Sequence, residues 1–145
     1  MFEWELMLRK NVACINNKSV VIGSTEIFFT TMWTRIPAEE SYTIARIMND
    51  CSNNRYEGRV FDTCSWNKIH KECLQWLLSA VEASSAENKV VVTHHCPHKN
   101  AVAEHYVGRL SGCGAAEVSH MHLRQRLFLA WAHRLPLCNA SKVQC

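Results

Sequence analysis

The chain has 145 residues, room for one domain and little more. Apolar types make up 48% and charged types 20%, which supports a packed core and excludes wholesale disorder. The formal net charge is +3 without a Lys/Arg cluster, so nothing argues for nucleic acid, and no apolar run reaches the length of a membrane span.

Residues 1–5 lack the basic-then-apolar layout of a signal peptide, so the expected compartment is the cytoplasm. Cysteines stand at 14, 51, 64, 73, 96, 113, 138 and 145, and no pair makes a C-x-x-C. Free thiols are therefore expected, with a disulfide-stapled secreted domain as the alternative. Most histidines lie at or after position 94, which directs attention to that part of the chain.

Residues 3–9 carry Trp4, Met7 and Leu8 at helical spacing without an N-cap, and read as the last turns of a helix. Residues 12–15 form a short apolar strand, Asn16-Asn17-Lys18 a turn, and residues 19–22 a second strand ending at Gly23-Ser24. Residues 26–33 are rich in β-branched and aromatic types and read as one strand. Pro37 then opens a helix, with Glu39 and Glu40 near its positive end and Ile44, Ile47, Met48 and Cys51 as its apolar stripe. Residues 51–65 read as a loop. A second helix is expected over 67–84, with Ile69, Cys73, Trp76, Leu77, Ala80 and Val81 on one face. Val90-Val91-Val92-Thr93 follows as a short apolar strand, of the kind buried on both faces. Helix then buried strand implies an α/β layered domain. Trp76 is expected in the core, and Trp33 in core or rim packing. Asp50, Asp62 and Glu72 read as solvated.

The strongest chemical constellation is Thr93-His94-His95-Cys96-Pro97. Open α/β sheets place their sites outside the carboxyl ends of strands, and a neutral imidazole there is a good first-row metal ligand. Adjacent histidines on a strand point opposite ways, so at most one faces a site. The plain alternative is two partly exposed loop histidines without a ligand. A Cys96–His95 nucleophile pair lacks a third orienting group. Ser119-His120-Met121-His122 contains H-x-H but opens the apolar run Leu123, Leu127, Phe128, Leu129, Trp131, which reads as helix or exposed coil.

Lys89-Val90-Val91-Val92-Thr93-His94-His95-Cys96-Pro97 resembles the "VVVTHHAP" segment of calcineurin-like metallophosphoesterases, in particular small bacterial and phage members. In the same order, residues 17–23 resemble the strand before that family's central hairpin. Thr30-Thr31-Met32-Trp33-Thr34 resembles its "GTTLWT" strand end, and Ile47-Met48-Asn49-Asp50 its "MNDF". Residues 69–77 resemble the helix before the His strand. The resemblance covers roughly residues 3–113.

It implies a partial metallophosphoesterase fold, a two-sheet sandwich flanked by helices. The intact family hydrolyses phosphate mono- or diesters with two divalent ions of the Mn, Fe or Zn type, about 3.5–4 Å apart. Of the family's ligand motifs the resemblance carries over one residue, His94. The D-x-H, G-D-x-x-D and G-N-H-[DE] motifs are missing, which implies a chain truncated at its N-terminus. The family's "LWIHGHTH" strand is missing too. Back-translated and read one base along, Leu129 to Arg134 can spell H-G-H-T-D, so residues 114–145 are expected to be a divergent, frameshifted tail. The resulting expectation is a phosphoesterase fragment, inactive alone, with His94 as its metal residue and a phosphate ester as the parent substrate. Two alternatives stand beside it: a non-catalytic binding or structural module, and a mononuclear binder using His94, Cys96 and His98.

Overall fold

In a computed structural model of the chain, the described residues are 4–97 together with the backbone of 127–131. They form a mixed α/β structure. Strand β1 (Trp4–Arg9) pairs antiparallel with β2 (Val12–Asn16), and β3 (Lys18–Ile22) with β4 (Thr25–Thr30). A single 3-10 turn (Ala38–Glu40) leads into α1 (Ser41–Ile47) and α2 (Asn49–Asn53). The small hairpin β5 (Arg55–Tyr56) and β6 (Arg59–Val60) precedes the long helix α3 (Thr63–Ala83), which is followed by β7 (Asn88–Thr93). Strand β8 (Leu127–Trp131) completes a four-stranded sheet of order β3-β4-β7-β8.

Within that sheet β4 and β7 run parallel, with Phe28 opposite Val91 and Thr30 opposite Thr93. A parallel pair needs a long crossover, and the helices between the two strands supply it. The crossover buries the face of α3 that the periodicity predicted: Ile69, Cys73 and Leu77 are within 2% of fully buried, and Val81 closes the row. They meet Phe28 and Val91 from the sheet, and Ile44, Phe61 and Trp66 extend the same cluster. Lys89 is buried as well, and its ammonium donates to the carbonyls of Val81 and Ser84 at 2.8 Å each, closing the carboxyl end of α3.

The helix expected over 3–9 is a strand. Its apolar positions fit either period, and residues 12–16 offer a β-branched partner across a two-residue turn, so pairing decides. The strand expected over 26–33 stops at Thr30, because Met32 takes a left-handed backbone (φ 49°) and turns the chain. Pro37 precedes the 3-10 turn rather than opening the α-helix. The stripe behind it breaks at Met48, whose extended backbone re-phases the helix, so Ile44 and Cys51 are buried while Ile47 is exposed. The loop expected over 51–65 holds the end of α2, the β5–β6 hairpin, whose Glu57 and Gly58 both adopt positive φ, and the start of α3. Helix α3 starts earlier than expected because Asp62 caps it, accepting from the Ser65 amide at 2.7 Å. Asp62 is thus a capping residue, and the Ser65 amide holds its carboxyl below the usual range.

Strand β7 alternates buried and half-buried residues instead of being buried on both faces. Residues 127–131 form a parallel strand on β7, not a helix or coil. Trp76 is half-buried, packing edge-on against Phe28 at 6.5 Å. The remainder of the tail, 114–126 and 132–145, lies outside the described residues. Among the described residues Cys14, Cys51, Cys64 and Cys73 are free thiols, and burial pushes the Cys51 thiol up. Among the same residues no helix is long and apolar enough to cross a membrane.

Candidate functional site at the carboxyl ends of β4 and β7

Because β4 and β7 are parallel and in register, Thr30 and Thr93 end side by side, and the segments that follow share one edge of the sheet. From β7 comes His94-His95-Cys96-Pro97; from β4 comes Thr31-Met32-Trp33. The His95 amide donates to the Thr31 carbonyl at 3.0 Å and ties the two together. His94 is exposed. His95 is half-buried, its ring 4.8 Å from Trp33 and 6.0 Å from Trp66. The two imidazoles meet edge to face at 4.9 Å. His94 is therefore exposed while His95 packs inward, and because both sit in the bend past the end of β7 their rings touch instead of pointing to opposite faces as they would on a strand.

The segment after β4 is held from several directions. Asn16 Oδ1 accepts from both the amide and the hydroxyl of Thr31, at 2.7 Å each. Thr30 Oγ1 donates to Asn17 Oδ1 at 2.7 Å and accepts from the Met32 amide at 3.3 Å. Helix α3 contributes three anchors. His70 Nδ1–H donates to the Trp33 carbonyl, Trp66 Nε1–H donates to the Thr34 carbonyl at 2.9 Å, and Asn67 brackets the backbone of Ile36. These bonds hold Met32, which is fully buried at positive φ, in a conformation that costs a non-glycine residue roughly 1–2 kcal/mol.

A carbonyl only accepts, so His70 carries its proton on Nδ1. Burial pushes its pKa down, the Trp33 carbonyl pulls it back in part, and Arg35 lowers it further. Two buried polar atoms in this neighbourhood, Trp33 Nε1 and Thr93 Oγ1, find no hydrogen-bond partner among the described residues. The Trp33 indole packs edge-on against Trp66 at 4.6 Å and Phe61 at 5.2 Å.

A two-cation centre sets strict demands on its donor set. Such a centre needs carboxylates to offset the metal charge and several ligands per ion. Among the described residues no three His, Cys, Asp or Glu side chains gather as a possible metal site. His94 is presented to solvent at the strand end, whereas Cys96 is 4% exposed and is not offered beside it. The described residues do not by themselves fit a pair of cations. His98, His120 and His122 lie outside them. Two open, shallow hollows lie near the start of α3, lined by Arg35, Ser41 and Asn67 in one and by Arg59, Asp62 and Lys68 in the other; neither is lined by His94.

Sequence reasoning missed Asn16, Asn17 and His70. The Asn-Asn doublet reads as turn chemistry, and Asn17 does adopt positive φ (53°), yet both side chains are within 1% of full burial. Polar side chains with no local reason to be buried give no signal until their partners are known. No family model, curated protein or solved structure matches the chain.

Proposed function

We propose that the chain carries part of a calcineurin-like metallophosphoesterase scaffold and supplies one metal ligand, His94, to a centre whose remaining ligands lie outside the described residues. The observation that supports this reading is the position of His94. It is exposed at the carboxyl end of a parallel strand, immediately after the Thr93 that closes the ladder, while its neighbour His95 packs against Trp33. The parent reaction is hydrolysis of a phosphate mono- or diester. One imidazole cannot fix two ions, so this chain alone is expected to turn over none.

The test pairs a metal probe with an activity assay. Substoichiometric Mn²⁺ should broaden the imidazole resonances of His94 ahead of those of His70, and aryl phosphate mono- and diesters with Mn²⁺ should hydrolyse at the background rate. Resonances of His94 that ignore Mn²⁺ would remove its ligand role. Metal-dependent turnover that disappears in His94→Ala would show a complete site and overturn the incomplete-centre reading.

A further inference from the structure

The turn that carries His94 and His95 follows the end of β7, beyond the last ladder pair Thr30–Thr93. A backbone link to the β4 side is the His95 amide bonded to the Thr31 carbonyl, beside the packing of the His95 ring on Trp33. Thr31 is in turn held at both its amide and its hydroxyl by a single atom, Oδ1 of Asn16. Asn16 is fully buried at the end of β2, 15 residues away in sequence. We propose that Asn16 is a positioning residue: through Thr31 it sets the place of the His94–His95 turn, and with it the outward presentation of His94. The inference rests on the reading of His94 as the site's ligand for its functional meaning, but its geometry stands without any metal.

Several features single out Asn16 from its equally buried neighbour Asn17. Asn17 bonds the hydroxyl of Thr30, inside the ladder, where register with Thr93 already fixes the backbone. Asn16 acts one residue further on, where the ladder has ended and Met32 begins the left-handed turn. An acceptor that takes two donors from one residue restrains both position and rotation. Loss of Asn16 therefore loosens Thr31 directly, at its amide and its hydroxyl, whereas Asn17 reaches the Thr31 carbonyl only at one remove, through the Thr30 hydroxyl that accepts from the Met32 amide at 3.3 Å.

The test uses the full chain and reads the His95 amide by hydrogen exchange, together with the ring-proton shifts that the Trp33 indole imposes on the His95 imidazole. Asn16→Ala should speed exchange at His95 roughly tenfold and move its ring resonances toward solvent values, with the Val91 amide unchanged. Asn16→Asp, which keeps the oxygen, should restore most of both signals. Asn17→Ala should change both signals less than Asn16→Ala does, because Asn17 acts on that peptide through the Thr30 hydroxyl alone. Unchanged His95 exchange in Asn16→Ala, or an equal rise in Asn17→Ala, would overturn the assignment. If Asn16→Ala loses protection throughout the core, Thr31→Val decides, since it removes the hydroxyl bond alone. It should raise His95 exchange by roughly threefold, and no change there would overturn the proposal. Failure of the Mn²⁺ test on His94 leaves these readouts untouched, so the two outcomes are separable.

Discussion

His70 is the residue whose chemistry depends most on its surroundings. Its ring is buried beneath the Trp33 carbonyl, with Arg35 nearby, and its pKa lies below the ordinary histidine value. A base with a depressed folded pKa binds fewer protons folded than unfolded. Its contribution to stability is intact above the unfolded value of about 6.5 and is lost as pH falls toward the folded value. The urea midpoint should therefore drop between pH 7.5 and 5.5. His70→Asn, which keeps a donor for the Trp33 carbonyl but does not titrate, should flatten that drop. Equal slopes in both proteins would assign the pH dependence elsewhere. Glu26 acts in a lower window. Hydrogen bonds from Ser19 and Ser84 hold its carboxyl below the usual range, so its share is lost only below about pH 4.5.

Helix α3 is the element on which the rest is built. It runs 21 residues, supplies the buried row Ile69, Cys73 and Leu77, and reaches the site through His70, Trp66 and Asn67. Its two kinds of stabilisation separate by mutation. Leu77→Ala removes a fully buried side chain and leaves a cavity, and should cost about 2–5 kcal/mol of unfolding free energy. Asp62→Ala removes the cap and should cost roughly 0.5–2 kcal/mol. Both are read from denaturant titrations, and a larger loss at Asp62 than at Leu77 would contradict this ranking. The short helices behave differently. Met48 interrupts them, so Ile44 and Cys51 reach the core from two separate pieces while Ile47 remains outside.

Across the molecule, apolar surface is distributed unevenly. Leu6, Met7 and Leu8 of the β1–β2 hairpin are each more than half exposed, and so are Val21 and Ile22 of β3, the first strand in the sheet order. An uncovered strand edge with apolar side chains invites association. The chain expressed alone should aggregate at moderate concentration, and Leu6→Lys with Val21→Lys should raise the monomer fraction on size exclusion. Because both positions are exposed, the unfolding free energy should change by no more than about 0.5 kcal/mol per substitution. Unchanged aggregation in the double variant would locate the association surface elsewhere.

Local patterns in the sequence were enough for α3, for a turn at Gly23 between β3 and β4, and for a strand ending at Thr93, just before His94. Each depends on periodicity or turn chemistry within a few residues. An α/β arrangement followed from helix and strand alternating. Tertiary structure decided the rest. It made residues 4–9 a strand, placed 127–131 beside β7, and buried Asn16 and Asn17 under the end of β4. It also decided that His70 serves the Trp33 carbonyl, 37 residues away. The physical reason is the range of the interactions. Helix caps, turns and apolar stripes are satisfied by neighbours in sequence, whereas a parallel ladder or a buried amide finds its partner only after distant segments have packed.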